Sequence, residues 1–303
     1  MTGLTALQKN LAAKLPDVAL RNFEPMHEHT SFRIGGNAEV MAFPKSVEQL
    51  RDLLITSALL DCKWRILGAG TNILVPDEGV DGIVINLKDA FHDISLIDDR
   101  HISCMAGATM TRAAVFAANN GLAGLEFAHG IPGTVGGGVY MNAGAYGGEI
   151  SQVCESIEVM GRNGSVHTLY QKDLDFSYRH SILTETDDII LSAVFCLQPG
   201  NSEEIRSRMK ELMAKRSASQ PLNLPSAGSA FKRPAGAYAA ALIDQAGLKG
   251  LCVGGAEVSV KHAGFIVNRN GATASDVREL LQQVSDCVYS QFGIRLEPEI
   301  RIW

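Results

Sequence analysis

One stretch, Gly130–Ile150, limits what this chain can fold into more than any other: GIPGTVGGGVYMNAGAYGGEI. Eight of its residues are glycine, one is proline, and its only formal charge is Glu149. Glycine loses more freedom on ordering than any other residue, so a run of it in a folded chain needs a reason. Either backbones cross closely here, or a bulky ligand lies against the main chain.

A second glycine turn lies upstream. LGAGTNILV (67–75) has the pattern of a strand ending in such a turn, and consecutive N–H groups there can hold phosphate oxygens. It is not the dinucleotide fingerprint GxGxxG, because Ile73 stands at the third glycine and an apolar run follows instead of a clear helix. Alone, it is equally a tight structural turn. With GIPGTVGG (130–137) it suggests a dinucleotide whose pyrophosphate lies between two α/β units. MNAGAYGGE (141–149) then offers bare backbone to a flat ring. The competing interpretation is a tightly packed loop between domains.

The 303 residues suffice for two or three domains. A net charge of −6 with no basic run longer than two argues against nucleic acid or an anionic membrane surface. Leu4, Leu7, Leu11 and Leu15 fall at helical spacing without the unbroken apolar core of a signal peptide, and no later run is long enough to span a bilayer. The cysteines at 62, 104, 154, 196, 252 and 287 include no CxxC pair, so reduced core thiols in a cytoplasmic protein are expected, and no metal site.

Three blocks follow from the periodicities. Residues 1–90 hold a strand at 38–44, a helix opened by the capping box Ser46-Val-Glu-Gln49, and the strands WRIL and IVINL. Residues 91–200 hold a strand at 101–106, an alanine-rich helix near 110–119, the glycine stretch, and strands at 156–160, 165–170 and 189–197. Residues 201–293 open with a helix at 202–216, pass through the linker-like 217–228, and close with a strand near 263–267 and a helix at 275–291 stopped by Gly293. LEPEIRIW ends the chain as a strand, and 294–303 is a candidate to return to the first block.

Three smaller signals are each modest. Arg179 in FSYRHS has Phe176, Tyr178 and Ile182 around it, and a partly buried arginine normally faces an anion. Ser229 sits in PSAGSAFKRP among small residues, where turn or capping serines are common. Glu297 and Glu299 share one side of the last strand.

In order, TSFRIGG (30–36), GAGTN (68–72), GIPGTVGG, NAGAYG (142–147), Tyr178-Arg179, AGSAFKRP (227–234), LIDQAGLKG (242–250) and LEPEIR (296–301) resemble the UDP-N-acetylenolpyruvoylglucosamine reductase family. The resemblance implies an α+β chain with the FAD-binding fold of the vanillyl-alcohol-oxidase/PCMH type: two α+β FAD subdomains and a smaller α+β substrate domain. It implies that Gly68, Ala69, Gly70, Thr71 and Asn72, with Gly130, Ile131, Pro132, Gly133, Thr134, Gly136 and Gly137, hold the FAD pyrophosphate. Asn142, Ala143 and Gly144 would approach the isoalloxazine. The continuation Thr71-Asn72, where covalent relatives bring a His or Cys, implies non-covalent FAD. The implied reaction uses NADPH to reduce an enolpyruvyl UDP-sugar in peptidoglycan synthesis. Arg179 would supply the fixed cation, Ser229 the proton, and Glu299 a hydrogen bond to the developing charge. Tyr178, Arg216, Lys232 and Arg233 are candidate substrate contacts, and a monomer is expected. Two departures stand out. Residues 198–228 lack an aromatic residue, which matches the branch without a tyrosine loop, and Arg233 stands where many members have Asn.

Overall fold

The computed structural model describes residues 4–303, an α+β chain in two compact units. The first comprises the chain up to Asn22, Val40–Ala69 and Gly82–Lys215; the second comprises Phe23–Glu39, Gly70–Asp81 and Arg216–Trp303.

The first unit contains two cores. One forms around the parts of four strands that lie in this unit, Ala19–Asn22, Val40–Phe43, Gly82–Asn86 and Trp64–Leu67 in sheet order, the last two parallel with Trp64 opposite Ile83. The helix Val47–Leu59 turns Leu50, Leu53 and Leu54 onto Val40, Ala42, Ile83 and Ile85. Its start departs from the expected capping box: Ser46 accepts from Gln49 N, but the Gln49 side chain accepts from Lys45 N, one residue too early to close the box.

The other core lies on an antiparallel sheet of order Val166–Tyr170, Cys154–Met160, Ile189–Cys196, His101–Met105, Ile94–Leu96. Ile189 and Leu191 enter the first core while Ile190, Ala193 and Phe195 enter the second, which explains a continuous apolar run instead of an alternating one. Ala113, Ala114, Ala117 and Ala118 of the helix Met110–Asn119 give that core a small-residue face.

In the second unit, the strands Ser226–Ser229, Phe265–Asn268, Ala256–Val258 and Cys252–Val253 form an antiparallel sheet. The helix Ala274–Phe292 buries Val277, Leu280, Val284 and Val288, is capped by Thr273, and ends at Gly293 in the left-handed region, φ 70°. Two sequence expectations need correction. The linker-like 217–228 is helix at one end, because Ser202–Ser219 continues past 216, and strand at the other, because Ser226–Ser229 pairs with Phe265–Asn268. LEPEIRIW is strand only at Arg301–Ile302, which runs parallel to Ile73–Leu74. Pro298 has no N–H to continue a ladder and forms an isolated bridge with Phe231.

Candidate active site

Gly68 and Thr134, one from each glycine motif, meet in the first unit. A Cβ on Gly68 would lie 2.5 Å from Thr134 Oγ1, so the two can approach this closely only because Gly68 has no side chain. Thr134 is held in turn: its hydroxyl accepts from Gly137 N and caps the short helix Val135–Tyr140.

Close packing accounts for part of the glycine run. A Cβ on Gly138 would lie 2.7 Å from Met110 Sδ, one on Gly136 3.0 Å from Ala106, and one on Gly148 2.5 Å from the Phe127 ring. Tyr146 and Gly147, both at positive φ, form the tip of a hairpin between Gly144–Ala145 and Gly148–Glu149. Several main-chain donors are also committed internally. Val135 N and Gly136 N donate to the carbonyls of Ala108 and Ala106. Gly137 differs: it is exposed, and an added Cβ there would meet only Thr134 Oγ1, at an ordinary 3.5 Å. A helical glycine costs roughly 1 kcal/mol against alanine, and among the described residues no close neighbour forbids a side chain at this position.

Asn142 acts through the chain itself. It is buried at φ 41°, its amide donates to Ser177 O at 3.0 Å, and its carbonyl oxygen accepts from Ser151 N at 2.9 Å. The Ser177 end matters because Ser177 and His180 exchange backbone hydrogen bonds at 3.2 Å across Tyr178-Arg179. Arg179 therefore sits at the tip of a tight turn at φ 57°, a conformation that costs a non-glycine residue energy and persists where the surroundings enforce it. Its guanidinium lies 4.9 Å from the centre of the Tyr178 ring. Arg179 is half-buried, while Tyr178 is exposed.

Ser229 and Glu299 come together in the second unit. Glu299 N donates to Ala230 O at 2.9 Å and Lys232 N to Glu297 O at 2.8 Å, so the segment Ala230–Lys232, which directly follows the Ser226–Ser229 strand, runs antiparallel to Glu297–Glu299. Asn72 joins them: its side-chain amide donates to Glu299 O at 3.3 Å, and its own carbonyl accepts from Arg301 N. A residue expected to face phosphate thus has its side chain on the Glu299 backbone. Sequence reasoning missed Ser31, whose hydroxyl donates to Ser226 O at 2.6 Å and whose N–H donates to Gly70 O. It ties the first glycine turn to the strand that carries Ser229, and the motif TSFRIGG was its only signal. Behind Ser229, burial pushes His262 below the ordinary imidazole range; its Nδ1 accepts from Gly264 N, whose carbonyl receives Ala230 N.

The candidate substrate cations differ. Lys232 forms an ion pair with Glu297, so Glu297 is engaged with lysine while Glu299 stands half-buried beside it in sequence. The Arg233 guanidinium lies 4.5 Å from the centre of the Tyr238 ring, itself 62% exposed. Arg216 is buried near the end of its helix, whereas Lys215 pairs with Glu211 at the surface. Among the described residues no helix is long and apolar enough to cross a membrane.

Comparison with known proteins agrees with this layout. Residues 220–303 match the C-terminal domain of UDP-N-acetylenolpyruvoylglucosamine reductase, and residues 38–170 match an FAD binding domain. The reductase of Pediococcus pentosaceus is 43% identical over 98% of both chains, and that of Agathobacter rectalis is 45% identical over 97% of both. The crystal structure of the Thermus caldophilus reductase superposes with a TM-score of 0.80 at 36% identity, covering 94% of this chain and 98% of that one. A xylooligosaccharide oxidase from Myceliophthora thermophila shares the fold at 17% identity, TM-score 0.50, over 64% of this chain and 43% of its own.

Proposed function

Since the chain belongs to the UDP-N-acetylenolpyruvoylglucosamine reductase family, we propose that it uses NADPH and FAD to reduce the enolpyruvyl group of UDP-N-acetylglucosamine enolpyruvate, giving UDP-N-acetylmuramate for peptidoglycan. The observation that carries this reading is that the FAD-binding and reductase C-terminal matches lie in one chain, so flavin-handling and substrate-handling parts occur together.

The chain has the FAD-binding fold of the vanillyl-alcohol-oxidase type. Its residues fit the cofactor: Gly68 and Thr134, one from each glycine motif, lie in close contact, and among the described residues an added Cβ on Gly137 would meet only Thr134 Oγ1, at an ordinary 3.5 Å. Gly68–Asn72 and Gly130–Gly137 would hold the pyrophosphate, and Asn142–Gly144 would lie near the ring system, all without a covalent bond. When bound, FAD would supply the redox chemistry, hydride transfer between NADPH and the methylene carbon of the substrate.

The protein's own groups manage what that addition creates. Hydride addition to an alkene conjugated with a carboxylate moves negative charge onto C2 and the carboxylate oxygens. Arg179, fixed at its turn, stabilises that charge, and a preorganised cation does so without reorganising in the transition state. Ser229 donates the proton to C2, a positioned-acid role. Glu299, held by its backbone to Ala230 and Asn72, would act in its protonated form, its carboxyl O–H donating a hydrogen bond to the developing charge. Arg233, with Tyr238 beneath its guanidinium, and Arg216 and Lys232 serve the UDP-sugar. Two FAD subdomains, 1–90 and 91–200, and a substrate domain at 201–293 are the proposed functional division; Phe32, Ile34 and Leu74 pack with the core of the last block, and Ile205 and Met209 with that of the second. A cytoplasmic monomer is the expected state.

The test is direct. The purified protein should be yellow, bleach with NADPH without oxygen, and regain its colour on adding the enolpyruvyl nucleotide; acid should release all the flavin. Protein that bleaches but never recovers colour with that nucleotide acts on another substrate.

A further inference from the structure

We propose that His101, Glu155 and Cys196 form a binding site for a borderline-soft divalent cation of the zinc class. The reaction proposed above uses none of them. All three belong to the first unit, and three adjacent strands bring them together. His101 and Cys196 are register partners on neighbouring antiparallel strands, which puts their side chains on one face. Glu155 comes from the strand on the other side of Ile189–Cys196. The register of that pair slips between Cys154 and Ser156, so Glu155 is the extra residue of a β-bulge, a feature that re-aims a side chain.

The donor atoms of the three residues all lie within 4.8 Å of one another. His101 Nε2 and a Glu155 carboxylate oxygen already stand 2.8 Å apart. Around tetrahedral zinc, bonds of ~2.0–2.3 Å separate N and O ligands by about 3.3 Å and place sulfur about 3.6 Å from either. The imidazole–carboxylate pair would therefore open slightly and Sγ would move inward. The exposed Glu155 side chain and a rotation of Cys196 can supply that adjustment.

A carboxylate behind the imidazole strengthens the assignment. Both oxygens of Asp98 lie against His101 Nδ1, at 2.8 and 2.9 Å. Asp98 is itself fixed by the amides of Arg100 and His101, each 2.9 Å from Oδ1. With its proton on Nδ1, His101 turns Nε2 toward Glu155 and Cys196, as in carboxylate–histidine–zinc arrangements. One nitrogen, one sulfur and one oxygen donor favour zinc-class ions over magnesium or calcium, with water completing the shell. Binding releases the Cys196 thiol proton and any proton on Nε2 to solvent; no electron moves. The ion would clip three strands of one sheet.

The experiment uses untagged, reduced, flavin-loaded protein stripped with a chelator, then given Zn²⁺ alone. One equivalent of zinc should survive gel filtration. Zinc should also slow alkylation of Cys196 by iodoacetamide at least tenfold, followed by peptide mass, while Cys252 reacts as before. Cys196→Ser and His101→Gln should lose the retained zinc, and Cys252→Ser should keep it. Asp98→Asn should bind zinc on the order of 10–100-fold more weakly, the usual effect of losing such an outer carboxylate. Mg²⁺ should protect nothing. Failure to retain zinc, or equal retention by wild type, Cys196→Ser and His101→Gln, overturns the site. So does alkylation of Cys196 at an unchanged rate, which needs no variant to fold.

Discussion

Gly68→Ala tests whether the contact between the glycine turns serves the cofactor. The new methyl group would lie 2.5 Å from Thr134 Oγ1, closer than real Cβ contacts come, so one turn must move. Overpacking of this kind costs about 1–3 kcal/mol. Displacing the Thr134 hydroxyl from Gly137 N adds the loss of a helix cap, about 1 kcal/mol. If the same two turns hold FAD, a strain of 1.4–2.7 kcal/mol falling on the binding-competent arrangement weakens flavin binding by roughly 10–100-fold. The assay is titration of flavin-free protein with FAD, read by flavin fluorescence, beside a denaturant curve for stability. A second substitution isolates the cause. Thr134→Ala removes the clashing oxygen and leaves Thr134 Cβ at an ordinary 3.5 Å, so Gly68→Ala in that background should cost little more affinity than Thr134→Ala alone. Stability lost with flavin affinity intact would show that Gly68 serves packing only. Strict additivity of the two changes would show that the contact is not the cause.

Ser31→Ala removes the donor to Ser226 O and should lower unfolding free energy by about 1 kcal/mol in a denaturant curve; an unchanged midpoint would mean that the brace is idle. Arg233→Ala should raise KM for the enolpyruvyl nucleotide on the order of tenfold or more with little change in kcat, since a charge-assisted hydrogen bond is worth ~1.5–3 kcal/mol and a remote one acts alike in ground and transition states. Tyr238→Phe, which keeps the ring under Arg233, should leave KM unchanged; an unaltered KM in Arg233→Ala would remove that arginine from the site. Burial lowers the His262 pKa below 6.5, so the folded chain binds that proton less readily than the unfolded one. Its contribution to stability is full above pH 6.5 and fades as pH falls toward the folded pKa, so His262→Gln should flatten the decline of Tm on the acid side. An identical pH profile in the variant would contradict this.

How legible the molecule is from sequence depends on how local each cause is. The helix Ala274–Phe292 announces itself through Val277, Leu280, Val284 and Val288 and its glycine stop, because periodicity and capping are properties of neighbouring residues. The last strand misleads because alternation outweighs Pro298 in the pattern, yet the missing N–H governs the pairing. The glycine run is legible as a demand for small size, but not in its division of labour. Gly138 faces Met110 and Gly148 faces Phe127, neighbours that only the tertiary fold supplies. Arg179 and Ser229 were within reach through resemblance, whereas the brace of Asn142 on Ser177 and that of Ser31 on Ser226 join distant segments without any spacing rule. The same holds for His101, Glu155 and Cys196, which a bulge and a strand register unite.

The proposed role of Ser229 as proton donor to C2 is tested most directly by splitting the two half-reactions in stopped flow. Flavin reduction by NADPH makes no demand on that proton, so Ser229→Ala should bleach at nearly the wild-type rate. Recovery of colour with the enolpyruvyl nucleotide should slow by roughly 10²–10⁴, the usual worth of a positioned acid. Equal slowing of both halves would make Ser229 a structural residue, and unchanged recovery would assign the proton to another group.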